Sequence, residues 1–153
     1  MYNFVLKLHS GWAYIALIII LIAVINALIG WSSRNPFTVK DRRISLFALI
    51  SVHLQFVFGL ILYFVSSKGF ERIQAVGMAG MSTDDRLLAL EHPFVNLVAI
   101  ILITVGWSKH KKASDGSGES EPTKESKFRA ISIFYGLGLL LLLSRIPWDN
   151  WFS

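Results

Sequence analysis

Four stretches of the chain are apolar over about the length a membrane demands, and the polar residues gather almost entirely between them. Residues 12–31 (WAYIALIIILIAVINALIGW) are apolar nearly all round, with Asn26 the main exception. A soluble bundle helix keeps a polar face for water, and none exists here. The other three runs cover 44–67, 87–108 and 130–148. Each is close to the ~20 residues that carry a helix across a bilayer. The runs are too long for strands and lack an alternating polar face. The pattern predicts an all-α protein of one domain over 1–153, an integral membrane up-down-up-down four-helix bundle with helices at about 10–31, 44–67, 87–108 and 130–148. The first run is too long for the apolar part of a signal peptide and lacks a cleavage-like end, so it is expected to stay as a helix.

The connections differ in character. Arg34-Asn35-Pro36 stops the first helix, and Thr38 to Arg43 restarts the second after a short turn. Residues 69–85 mix small residues with Met78 and Met81 and carry few charges, as suits a segment at the interface. Ser82-Thr83-Asp84-Asp85 is a helix-start signal: a hydroxyl cap followed by carboxylates at the positive end of the dipole. Residues 109–127 are Ser, Gly, Lys and Glu with one Pro, and predict a mobile solvated loop.

Charge gives an orientation. Arg34, Lys40, Arg42 and Arg43 in the first connection and the basic residues from Lys109 to Arg129 in the third outweigh Lys68, Arg72 and Arg86 in the second. The positive-inside rule then puts the first and third loops in the cytoplasm and both termini in the periplasm of a bacterial inner membrane, in a multi-pass protein. The net charge of +5 is explained by this bias, and no nucleic-acid motif accompanies it. The hydrophobic share of 54% and mean hydropathy of +0.55 agree with a membrane class. With no cysteine in the chain, disulfides, thiolate metal sites and covalent haem attachment are excluded.

His9, His53 and His92 lie within or at the ends of the spans, where hydrocarbon offers an imidazole no partner. His110, among Lys109, Lys111 and Lys112, reads as a solvated residue. Three imidazoles aimed inward from three helices suit haem iron, which takes two axial imidazoles from facing helices, and a copper or zinc site is the competitor. Counted from Trp31, Arg43 and Trp107, His9, His53 and His92 fall at depths of about 33, 15 and 23 Å. On that count His53 with His92 is the first choice of axial pair and His9 the alternate partner. Pro93 predicts a kink at His92, within a helix continuing from Leu87. Arg145, near the outer end of the fourth run, either snorkels or pairs with Asp149, or else serves as counter-ion to a haem propionate, as Lys7 could. No hydrolase or kinase motif is present.

The segments LKLHSGWAY, INALIGW, HLQFVFGLILYFVS, EHPFVNLVAIILITVGWSK and FRAISIFYGLGLLLLLSRIPW together resemble a family of small bacterial four-helix membrane proteins described as b-type cytochromes. The resemblance covers nearly the whole chain. It implies a haem b-binding respiratory-type membrane protein, acting in electron transfer or as a subunit of a larger respiratory complex, with membrane lipid and other membrane subunits as partners and His9, His53 and His92 as the matching positions. A more distant similarity is to the four-helix membrane protoporphyrinogen oxidases. Of their W-x-H-x-K pattern the chain has His92 alone, with Leu90 and Phe94 at the flanking positions; the departure weighs against porphyrinogen oxidation and not against porphyrin binding. The alternative is a cofactor-free membrane subunit or assembly factor whose histidines make interhelical hydrogen bonds.

Overall fold

The computed structural model describes residues 1–112 and 124–151, and every regular element among them is helical. In chain order these are α1 (Tyr2–Ser32), α2 (Val39–Val65), α3 (Phe70–Val76), α4 (Thr83–Arg86), α5 (His92–Lys112), α6 (Lys124–Ser144) and α7 (Trp148–Trp151). A π-turn, Leu87–Glu91, joins α4 to α5, so that Thr83–Lys112 is one continuous span. Four spans are long and apolar enough to cross a membrane. At most 33% of the apolar window of each is buried inside the protein. Ile15, Ile18, Ile22, Ile25 and Ile29 of α1 all face outward, a surface that hydrocarbon accepts and water does not.

The second and third spans start ahead of the apolar segments that predict them because polar residues cap their first turns. Thr38 and Asp41 form a reciprocal capping box, Thr38 N–H donating to Asp41 Oδ2 at 2.8 Å, and this starts α2 at Val39 rather than at residue 44. Ser82 and Asp85 form the second such box, where the sequence carries its helix-start signal. At the other end of the chain α6 stops at Ser144, short of residue 148, since Pro147 disfavours helical angles in the residue before it. Pro93 does not break its helix. Its missing N–H and its ring are accommodated by the π-turn just before it, where His92 N–H bonds to Leu87 O.

α1 packs on α2 and α6, and α5 packs on the same two helices. Their common core includes Ile20, Ala23 and Ala27 of α1, Ala48 and Val52 of α2, Ile103 of α5, and Ile131, Tyr135 and Leu139 of α6. Small residues let the backbones approach. A Cβ at Gly106 would lie 2.6 Å from Phe134 Cβ, so α5 and α6 meet where no side chain intervenes. The Tyr135 hydroxyl donates to Ser45 O at 3.0 Å and so is satisfied within this core. Between α1 and α2, Asn26 meets Asp41 (2.9 Å), Trp12 meets the Ser51 carbonyl (3.0 Å) and His9 meets Gln55 (3.1 Å). As α1 advances, α2 recedes.

The loop expected over 109–127 is helical at both ends, through Lys112 and from Lys124, and residues 113–123 lie outside the described residues. His110 is not solvated as expected. It is 1% exposed, its ring packed 4.7 Å from that of Phe37 and 5.0 Å from that of Trp107. The charged neighbours belong to other faces of α5, and the imidazole turns inward under the α1–α2 connection.

Candidate cofactor site

Toward the ends of the spans remote from Lys109–Lys112, three helices bring polar side chains together: His9 from α1, Gln55 from α2, and His92 with Asn96 from α5. The His9 and His92 rings lie 6.2 Å apart between centroids, with planes at 82°. His92 Nδ1 donates to the carbonyl oxygen of Arg145 at 2.7 Å, a bond that fixes the proton on Nδ1 and leaves the lone pair on Nε2. That lone pair accepts from Asn96 Nδ2 at 3.0 Å. Asn96 is four residues beyond His92, one helical turn along the same face. On the other side, Gln55 Nε2 is 3.1 Å from His9 Nδ1 and 3.4 Å from His9 Nε2. The two amide oxygens left over, Gln55 Oε1 and Asn96 Oδ1, are buried and have no hydrogen-bond partner. In a membrane such orphan acceptors are costly, so the cluster as it stands is incompletely satisfied.

Trp12 holds α1 in register beside this cluster. Its indole N–H donates to Ser51 O, and its ring meets Phe58 edge-on at 6.2 Å. Arg145 pairs with Glu91 across the α5–α6 seam at 3.3 Å, instead of with Asp149 as one expectation had it, and both side chains remain about half exposed.

His53 is placed elsewhere. Its Nδ1 donates to Leu49 O at 2.7 Å and its Nε2 faces Thr104 Oγ1 at 3.3 Å. Thr104 is twelve residues beyond His92, about 18 Å along α5. The structure thus brings His9, and not His53, to His92. One reason the depth count favoured His53 is that α5 runs past Trp107 to Lys112, so Trp107 is not its lower end. Beside His53, residues Leu49, Ile50, Leu54 and Val57 line an open apolar groove of about 250 Å³ on the surface of α2.

Gln55 and Asn96 escaped the sequence reading. The available signal was their own polarity: each is an amide inside an otherwise apolar span, and Asn96 stands at helical spacing from a histidine. Among the described residues no three His, Cys, Asp or Glu side chains converge as a metal site would require.

The fold and the cluster together define an all-helical protein with four membrane-capable spans and an interhelical histidine pair. Compared with family models, with curated proteins and with solved structures, the chain matches none.

Proposed function

We propose that the protein is an up-down-up-down four-helix bundle of a bacterial inner membrane, with both termini in the periplasm, that binds haem b between His9 and His92 and serves electron transfer, alone or as a subunit of a respiratory complex. The observation that carries this reading is the spacing of the two rings. An imidazole nitrogen sits about 2 Å from a bound metal and the ring centre about 1 Å further, so two imidazoles that held one iron between them would have centroids roughly 6 Å apart. His9 and His92 are at 6.2 Å already, and on α1 and α5, helices that pack on α2 and α6 rather than closely on each other.

The residues present fit the group. His92 has the second partner usual for a metal-bound imidazole, an Nδ1–H donating to a backbone carbonyl, and Nε2, which now accepts from Asn96, would be the atom to hold iron. Haem needs two protein ligands where zinc needs three or four, which suits a pair better than a cage. When bound, haem supplies a one-electron iron couple. The chain's own contribution is to hold the two imidazoles 6.2 Å apart on two different helices. Arg145, paired with Glu91, would be the counter-ion for a propionate beside His92, whereas Lys7, two residues from His9, points to the other side of α1.

The test is the visible spectrum of the purified protein, expressed with haem supplied, before and after dithionite. A Soret band with a reduced α band is expected in the wild type and in His53→Ala, and is lost in His9→Ala and in His92→Ala. A wild type with no Soret band would falsify the haem reading. It would favour instead a cofactor-free membrane subunit or assembly factor, a second reading supported by the bonds that His9 and His92 already make to neighbouring helices or side chains.

A further inference from the structure

The histidine pair leaves His53 without a role, and the groove beside it without an occupant. His53 is fourteen residues from Val39 and twelve from Val65, so it lies near the middle of α2 and, in a membrane, near the middle of the hydrocarbon. Its Nδ1 stands 2.7 Å from the Leu49 carbonyl, which can only accept; the ring proton is therefore on Nδ1 and the lone pair on Nε2. That lone pair is poorly served. Thr104 Oγ1 is 3.3 Å away, and its one proton has a closer acceptor in Ile100 O at 2.8 Å. A hydroxyl's hydrogen bond is usually about 2.5–3.0 Å long. Leu49, Ile50, Leu54 and Val57 give the groove at His53 apolar walls. Ile50, Leu54 and Val57 are exposed, as is Ile101 on α5, so in a membrane the groove opens to lipid and not to water.

An occupant needs two properties: it must be apolar enough to reach the middle of a bilayer, and it must bring a donor to Nε2. The acyl chain of a membrane lipid has the first and not the second, because its polar head stays about 15 Å away, half the thickness of the hydrocarbon core. A charged head is excluded by the cost of drawing it to that depth. A single hydroxyl on an apolar body has both properties, and a phenolic O–H, being more acidic than an alcohol's, is the stronger donor to an imidazole. We propose that the groove beside His53 is a second binding site, which takes the head of a lipid-soluble phenol, its O–H donating to His53 Nε2 and its tail lying along α2. At about 250 Å³ the groove is smaller than the ~300–1,000 Å³ of sites that enclose a whole ligand, so it holds the head and leaves the tail among lipid. Thr104 is about 18 Å along α5 from His92. The site is thus separate from the histidine pair and does not depend on the haem reading.

The experiment places the full chain, with ¹⁵N-labelled histidine, in lipid nanodiscs and titrates it with three probes. These are 3-pentadecylphenol, its methyl ether, which keeps the tail and loses the donor, and phytol, an isoprenoid alcohol. In the wild type the phenol is expected to shift the His53 Nε2 signal saturably and to leave His9 and His92 unmoved. It should bind about 2- to 12-fold more tightly than the ether, the range for one net hydrogen bond. That preference is expected to vanish in His53→Leu. Ile50→Trp fills the groove from an exposed position and leaves the bond to Leu49 O in place; it should weaken phenol binding about tenfold while the His53 signal of the free protein stays as in the wild type. An unmoved His53 signal at saturating phenol overturns the proposal, as does equal affinity for phenol and ether, or a preference that survives in His53→Leu. Tighter binding of phytol than of the phenol overturns it in favour of an isoprenoid alcohol. No haem band enters the readout, so a failure here and a failure of the haem reading are seen separately.

Discussion

At His92 one edge of the ring is tied to backbone and the other to a side chain, and only the second tie stands in the way of a ligand. Replacing Asn96 by Leu removes the donor on Nε2 while leaving the Nδ1–H bond to Arg145 O. A single net hydrogen bond of about 0.5–1.5 kcal/mol corresponds to haem bound about 2- to 12-fold more tightly in Asn96→Leu, read by titration of the Soret band. Weaker binding would mean that Asn96 supports the ligand instead of competing with it. The histidines themselves were legible in the sequence because imidazoles in apolar spans stand out. Their partners were not, since which amide meets which ring depends on helix rotation, and nothing in a span that is apolar all round records a rotation.

At the scale of the element, the π-turn at Leu87–Glu91 is the feature that sets where His92 points. It adds one residue to a turn ahead of Pro93, and each residue is about 100° of rotation around a helix. Pro93→Ala restores an N–H that can bond to Ala89 O, the ordinary α partner, and removes the reason for the wider turn. The expected outcome is unchanged helical circular dichroism with haem binding weakened tenfold or more, as His92 and Glu91 turn away from Arg145. Retention of full affinity would show that the wider turn does not aim the ring. The sequence announced a disturbance at His92 through the proline alone. It could not say that the helix would absorb it by widening, because a kink and a π-turn answer the same missing hydrogen bond. The capping boxes, by contrast, are local: Ser82 and Asp85 could be read as a start because both partners lie within four residues, and Thr38 and Asp41 have the same spacing in the segment read as restarting the second helix, although the apolar run that marks that helix begins only at residue 44.

For the whole molecule, the number of membrane-capable helices was plain from the sequence because hydrocarbon demands apolar side chains around the full perimeter of each. The same uniformity erased the neighbour relations. The orientation rests on loop charge and is open to a direct check, since the native chain has no cysteine to interfere. Asn35→Cys, in the first connection, is expected to resist a membrane-impermeant thiol reagent added to intact cells, and Met78→Cys, in the exposed 3-10 turn after α3, is expected to react. The opposite labelling pattern would invert the bundle in the membrane. His110 belongs to this scale as well, for its basic neighbours bear on the side of the membrane and say nothing about its own burial.

The hydrogen bond from His92 to Arg145 O has a second meaning. Arg145 directly follows the last residue of α6, and its carbonyl belongs to the set that a helix terminus leaves without an intrahelical partner. The imidazole is therefore the cap on α6, seated at the negative end of that helix's dipole, where an N–H donor is most strongly held. One bond both finishes a helix and orients a ligand, so the site cannot lose His92 without loosening the end of α6, and anything that draws on the His92 lone pair is felt at that end.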